Sequence, residues 1–172
     1  MDIARSFLDR SRTYLVREYP TKIQRCLDVL PAEMLWRRDD ATENSVGNLL
    51  LHLSGNVRQW IVSGVGGAPD ARQRSTEFDT REGGGAAELM AALLGTLHEA
   101  DEVLASLDER ALGEARRIQG RDVNVLDAVY HVVEHFSLHT GQIILLTKLF
   151  APGSIHFYED AGGQATPVWR DR

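Results

Sequence analysis

Apolar positions recur at helical spacing in four stretches of the chain, separated by polar or glycine-rich segments. Ile3, Phe7, Tyr14, Leu15, Ile23, Leu27 and Leu30 fall mainly three, four, seven or eight residues apart, which gives a helix one buried face. They predict a first helix over residues 2–30. Pro20 lies inside that run and is expected to kink or break it near Tyr19, since proline lacks the N–H and crowds the preceding turn. Pro31 stops the helix, and residues 31–44 read as a polar loop anchored by Trp36.

A second helix is predicted over 45–64, with Ser45 as its N-cap. Asn48, His52, Asn56 and Gln59 draw one polar line along it, although Leu49–Leu53 around His52 is otherwise apolar. Polar groups on a buried face must be hydrogen-bonded or ligated. Residues 64–85 are rich in glycine and charge, show no period, and read as a long loop able to cover a site mouth. Leu89, Leu93, Leu97, Val103, Leu104 and Leu107 define a third helix over 86–109. The basic cluster Arg116, Arg117 and Arg121 falls in a connection, 110–123, that reads as a solvated loop pairing locally. A fourth helix over 124–150 has Asn124 as its N-cap and Asp127 three residues on, close to a capping box. Ala151-Pro152-Gly153 ends it, and residues 151–172 are expected to pack without regular structure. No β-hairpin signal and no βαβ alternation stands out. The fold class is therefore all-α, a single four-helix-bundle domain over 1–172.

Composition narrows the function. The 172 residues carry a net charge of −6, with 43% hydrophobic and 26% charged residues. Phosphate-backbone binding needs a Lys/Arg surplus, so nucleic acid is not expected as a partner. No apolar run is long enough to span a membrane, and MDIARSFLDR lacks the apolar core of a signal peptide. A cytoplasmic location is the expectation. The single cysteine, Cys26, permits no internal disulfide and sits in an apolar periodic run, where it reads as a packing residue.

The chemistry concentrates in HVVEHFSLHTGQ, residues 131–142. His131, His135 and His139 are four residues apart, so on a helix they form one stripe ~80° wide that rises ~12 Å. Imidazole nitrogens bind an ion at ~2.0–2.1 Å, so the outer two rings cannot share one. Adjacent rings can, since i,i+4 side chains lie ~5–6 Å apart at Cβ. Spacing alone leaves two candidate pairs, His131/His135 and His135/His139, and His135 belongs to both. A third ligand is then needed from another helix, and His52 is the candidate. His98 and His156 read as surface residues. No nucleophile triad, phosphate loop or useful carboxylate pair is visible.

His-x-x-x-His-x-Gly-Gln late in a four-helix pattern (His135, His139, Gly141, Gln142), with His52 in LLLHLSGN, resembles the DinB superfamily. GNLLLHLSGNVRQWIVSGVGG and YHVVEHFSLHTGQIILLTK resemble, within it, a bacterial branch of unknown function. The resemblance implies an up-up-down-down bundle with one long crossover, often a homodimer. It also implies a divalent metal, zinc or nickel, held by His52, His135 and His139. His131 then becomes a supporting or pocket residue, with Asn56 and Gln142; Glu134 reads as pointing to solvent. Relatives with known activity act on low-molecular-weight thiols, which makes a small-molecule thiol the implied substrate and a metal-dependent hydrolase or thiol transferase the implied activity. A bound divalent ion would lower the pKa of a coordinated water or thiol. The other reading is a non-catalytic metal-binding bundle, stress-related or a scaffold.

Overall fold

In a computed structural model, which describes residues 2–169, the Asp2 carboxylate caps the first helix by accepting from the Arg5 N–H. Helix α1 (Ile3–Thr13) runs through a π-helical turn, Tyr14–Glu18, into α2 (Tyr19–Val29). Pro20 accounts for that turn. A proline cannot donate into an α-helical ladder, and widening the turn ahead of it, with the Tyr19 N–H donating to the Tyr14 carbonyl, lets the helix pass. The break expected near Tyr19 is thus absorbed without interrupting the helix.

Ser45 starts the second bundle helix with a full capping box: its hydroxyl accepts from the Asn48 N–H, and the Asn48 side-chain oxygen accepts from the Ser45 N–H, both at 3.1 Å. Helix α3 (Val46–Val57) continues as a π-helical segment, Arg58–Val65. The Trp36 ring covers Gly47, where a Cβ would come within 2.7 Å of it, so the loop before α3 is pinned as expected of its tryptophan. The segment 66–85 contains a short helix, α4 (Arg74–Asp79). Helix α5 (Ala86–Ser106) is the third bundle helix and α6 (Val125–Phe150), capped by the Asn124 side chain, the fourth.

Side-chain pairs fix the directions. Arg5 reaches the Leu107 carbonyl and Arg12 reaches Asp101, so α1 and α5 run antiparallel. Tyr19 stacks on Phe136 and Cys26 meets Thr147, so α2 and α6 run parallel. His52 meets His135 while Asn56 meets His131, which sets α3 against α6. Ser54 meets Thr96 and Arg58 pairs with Glu99, which sets α3 along α5. The bundle order is therefore up-down-down-up, correcting the expected up-up-down-down. The long crossover joins the two parallel middle helices and must return along the bundle. α5 has 21 residues and is ~30 Å long, a span that 66–85 can cover.

Two further expectations are corrected. Residues 110–123 are not simply a loop, nor is the tail irregular where described: β1 (Ala115–Ile118) pairs with β2 (Arg121–Asn124), and β3 (Tyr158–Ala161) with β4 (Gln164–Pro167), both antiparallel. Each hairpin turns on two residues in the left-handed region, Gln119 and Gly120 (φ 51° and 74°) or Gly162 and Gly163 (φ 66° and 83°). Such turns match the strand twist. The strands are short and polar, so they carry no alternating pattern to read. Arg116 pairs with Glu114 and Arg117 with Asp122, so that basic cluster is largely spent locally. Ile118 packs against Gly64 and ties the first hairpin to the bundle. The last three residues of the expected tail lie outside the described residues. Among the described residues no helix is long and apolar enough to cross a membrane.

The core is continuous, from Leu8 and Ile23 through Leu53 and Leu97 to Val132 and Phe136. Cys26 is fully buried in it, and burial pushes its thiol up to about 11. It is a packing residue.

Candidate metal centre

Val132 and Phe136 bury the core side of α6 and thereby turn the adjacent stripe of His131, His135 and His139 toward α3. The antiparallel crossing brings His52 to the middle of that stripe. His52 Nε2 lies 3.1 Å from His135 Nε2, and His139 Nε2 lies 3.2 Å from the same atom. Ligand atoms of all three residues fall within 4.8 Å of one another, and the cluster can hold a metal ion.

The protons decide what these contacts are. His52 Nδ1 lies 2.8 Å from Glu77 Oε2, an acceptor-only atom when ionised, so Nδ1 carries the hydrogen and Nε2 the lone pair. His139 Nδ1 lies 2.6 Å from the Gln142 side-chain oxygen, which assigns its tautomer the same way. Two lone pairs therefore face His135 Nε2. His135 has one proton and can satisfy at most one of them; its buried Nδ1 has no hydrogen-bond partner. A cation at the convergence point satisfies all three. Two imidazoles bound at ~2.0–2.1 Å stand about 2.9–3.4 Å apart in octahedral or tetrahedral geometry, a range that includes both observed separations.

Glu77 is the residue that sequence reasoning missed, together with Arg72. Both side chains are almost fully buried. Arg72 donates through Nε to Glu77 Oε1 at 2.6 Å and through Nη2 to Oε2 at 2.8 Å, a bidentate pair. It also donates to Gln59 at 3.0 Å, and Gln59 in turn donates to Asp70 at 2.8 Å. Burial alone would raise the Glu77 carboxyl. The hydrogen bonds and charges of Arg72 and His52 outweigh it, and the group sits below the ordinary glutamate value. The carboxylate is thus ionised and holds His52 in the ligating tautomer, as carboxylates behind metal-bound histidines do. No periodic pattern in 64–85 marks these residues. The one trace is Gly55, one turn after Leu51 on α3, where any Cβ would land on the Glu77 carboxylate.

The other candidates separate clearly. His131 packs tilted against Trp60, with ring centroids 4.2 Å apart, and its Nε2 accepts a long hydrogen bond from the Asn56 amide at 3.4 Å. Both lie beside the cluster, one turn along, rather than in it. Gln142 touches His139 directly. Glu134, His98 and His156 are exposed, the two histidines beside Glu102 and Glu159. Burial pushes His135 down to about 3, with neighbouring His139 and His52 adding to it. Burial also lowers His139, partly offset by Gln142, and lowers His131. His135 and His139 are thus held in the neutral form that ligation requires. A cavity of about 500 Å³ opens beside His52, His135 and His139.

Fold and site together define a bundle of four long helices with a three-histidine cluster, a possible metal site, between its second and fourth helices. The family model for proteins of unknown function DUF1572 matches residues 2–157, and the chain belongs to that family, which is itself DinB-like. No curated protein matches the chain.

Proposed function

We propose that this DUF1572 protein binds a divalent transition metal, zinc or nickel, through His52, His135 and His139 and uses it on a small-molecule substrate. The observation that carries the reading is the convergence of the His52 and His139 lone pairs on His135, whose single proton can satisfy only one of them. Three protein ligands beside an accessible cavity leave coordination positions open, the arrangement of catalytic rather than structural sites. The ion would supply Lewis acidity, making a bound water or thiol a nucleophile near neutral pH. This chain's residues supply the rest: Glu77 and Gln142 orient two of the rings, and burial keeps His135 and His139 neutral and ready to ligate. The resemblance to relatives acting on low-molecular-weight thiols makes thiol transfer the activity to test first. A homodimer belongs to the same proposal; Leu138, Leu145 and Leu149, exposed on α6, support it.

The test begins with elemental analysis of protein purified without an affinity tag. About one equivalent of zinc or nickel per chain is expected, absent from a His135→Ala variant. Cobalt-substituted protein should then change its visible spectrum when a small thiol is added. A chain that takes up no stoichiometric metal rejects the reading. A cobalt spectrum indifferent to thiols and anions alike would favour the non-catalytic bundle.

A further inference from the structure

Phe78, on α4, links the histidine cluster to three arginines. Its ring packs on His52 with centroids 4.6 Å apart. The Arg74 guanidinium lies over the same ring, 4.8 Å from its centroid. The Phe78 carbonyl accepts from Arg81 Nη1 at 2.7 Å and from Arg38 Nη1 at 3.3 Å. All three arginines line the cavity of about 500 Å³ that also exposes His52, His135 and His139.

Among the described residues none of the three pairs with a carboxylate. Other basic groups of the chain do: Arg12 with Asp101, Arg72 with Glu77, Arg117 with Asp122. Two acidic residues share the cavity wall. Glu43 turns its carboxylate onto the N–H groups of Asp39 and Asp40, at 2.9 and 3.3 Å, which leaves Asp79 as the open acid. A chain of net charge −6 therefore gathers three guanidiniums without a carboxylate partner at one mouth, against two carboxylates on the same wall. Each retains several N–H donors in a fork suited to a planar or tetrahedral oxyanion.

We propose that this cavity recognises a small molecule through an anionic oxygen group, a carboxylate or a phosphate, held by Arg74 and Arg81 with Arg38 behind them, while the molecule's reacting end faces the histidine cluster. The inference deepens the proposed function and names the substrate class of that site, but the arginine contacts do not depend on the ion. A neutral or cationic analogue is therefore a poor ligand, and the local positive field draws anions to an otherwise acidic protein.

The test uses the full chain, first stripped of metal by a chelator. Spectra resolving the arginine Nε–H groups are recorded during separate titrations with succinate and inorganic phosphate. Saturable shifts at Arg74 and Arg81 are expected, and the tighter of the two anions identifies the group. Arg74→Gln combined with Arg81→Gln, both at exposed positions, should weaken binding by about tenfold or more, as loss of charge-assisted contacts does. Arg116→Gln, on the first hairpin, should leave it unchanged. Shifts no larger than those from chloride, or shifts unaffected by the double variant, overturn the inference. A second arm compares 3-mercaptopropionate with 2-mercaptoethanol on cobalt-loaded protein. Tighter binding of the anionic thiol supports the inference, and equal binding overturns it. Should cobalt fail to bind while succinate still moves Arg74 and Arg81, the metal reading fails and the anion site stands.

Discussion

Glu77→Gln separates the carboxylate's role at the metal from its role in the fold. In the native chain Glu77 Oε2 takes the His52 Nδ1–H at 2.8 Å, and the two oxygens together take Arg72 at 2.6 and 2.8 Å. A glutamine keeps size and shape but offers a single oxygen. Either that oxygen faces His52 and the amide NH₂ confronts Arg72 Nε, or it faces Arg72 and the NH₂ confronts His52 Nδ1–H. At least one donor meets a donor in either case. The buried Arg72 also loses its counter-charge. For the metal-free protein, leaving one buried donor unmet costs ~1–3 kcal/mol. In a domain of this size that is roughly 2–10 °C of melting temperature.

The effect on the ion is separate. Loss of a partner behind a metal-bound histidine costs ~10–100-fold in affinity, or about 1.4–2.7 kcal/mol. The assay pairs zinc titration against a competing chromophoric chelator with melts of metal-free protein. Both quantities should fall. A lower melting temperature with unchanged zinc affinity would refute the argument, because Glu77 would then be a strut for the crossover and not the group that fixes the His52 tautomer.

His135→Ala and His139→Ala should each abolish stoichiometric metal, whereas His131→Ala should keep it with no more than a ~10–100-fold loss; dialysis against zinc followed by elemental analysis ranks the three, and loss of metal from the His131 variant alone would reassign the site. Gly55→Ala places a methyl on the Glu77 carboxylate and should reproduce the metal loss of Glu77→Gln without altering any polar group, read by the same zinc titration. For pH, His131, His135 and His139 are all held below the ordinary histidine value, His135 near 3, so below ~6.5 the unfolded chain takes up protons that the folded site refuses. Metal-free stability should then be flat above pH ~6.5 and fall below it. The rise in melting temperature on adding zinc should persist through pH 6 and disappear toward pH 4, as melts at pH 8, 6 and 4 can check; its loss already centred on pH 6.5 would mean the rings are not depressed.

How far each feature could be read from sequence follows from whether its cause is local. Ser45 and Asn124 declare themselves because a cap needs only its own next three residues, and the four apolar faces declare themselves by period. The histidine stripe is likewise a matter of spacing within one helix. Its partner His52 stood out as a polar residue in an apolar run, yet the choice between His131 and His139 required knowing where α3 crosses α6. Helix directions were not legible either. They depend on which pair the long crossover joins, and residues 66–85 have the reach to join either end. The hairpins escaped because four polar residues per strand leave no alternation. Glu77 escaped for a different reason: it acts through contacts with Gly55, His52 and Arg72 that tertiary packing alone creates.

That last residue alters what the crossover is. A cluster made only by α3 and α6 would tie two helices that already share a core, and an ion there would add little beyond its own ligation. Glu77 sits instead on α4, within the segment that returns along the bundle, and Phe78 beside it packs on the His52 ring. The segment reaches the core through Asn48 as well, whose amide donates to the carbonyls of Glu77 and Thr80, both at 2.8 Å. Any ion that prefers the Glu77-oriented tautomer of His52 therefore also prefers the docked crossover. A ligand stabilises a state only by binding it better than the alternative, so ion and docked segment must favour each other by the same free energy. The three arginines of the cavity belong to, or lean on, the same segment. An ion held there would therefore favour the docked anion-binding wall without being needed to form it, and the side chain joining the two is Glu77.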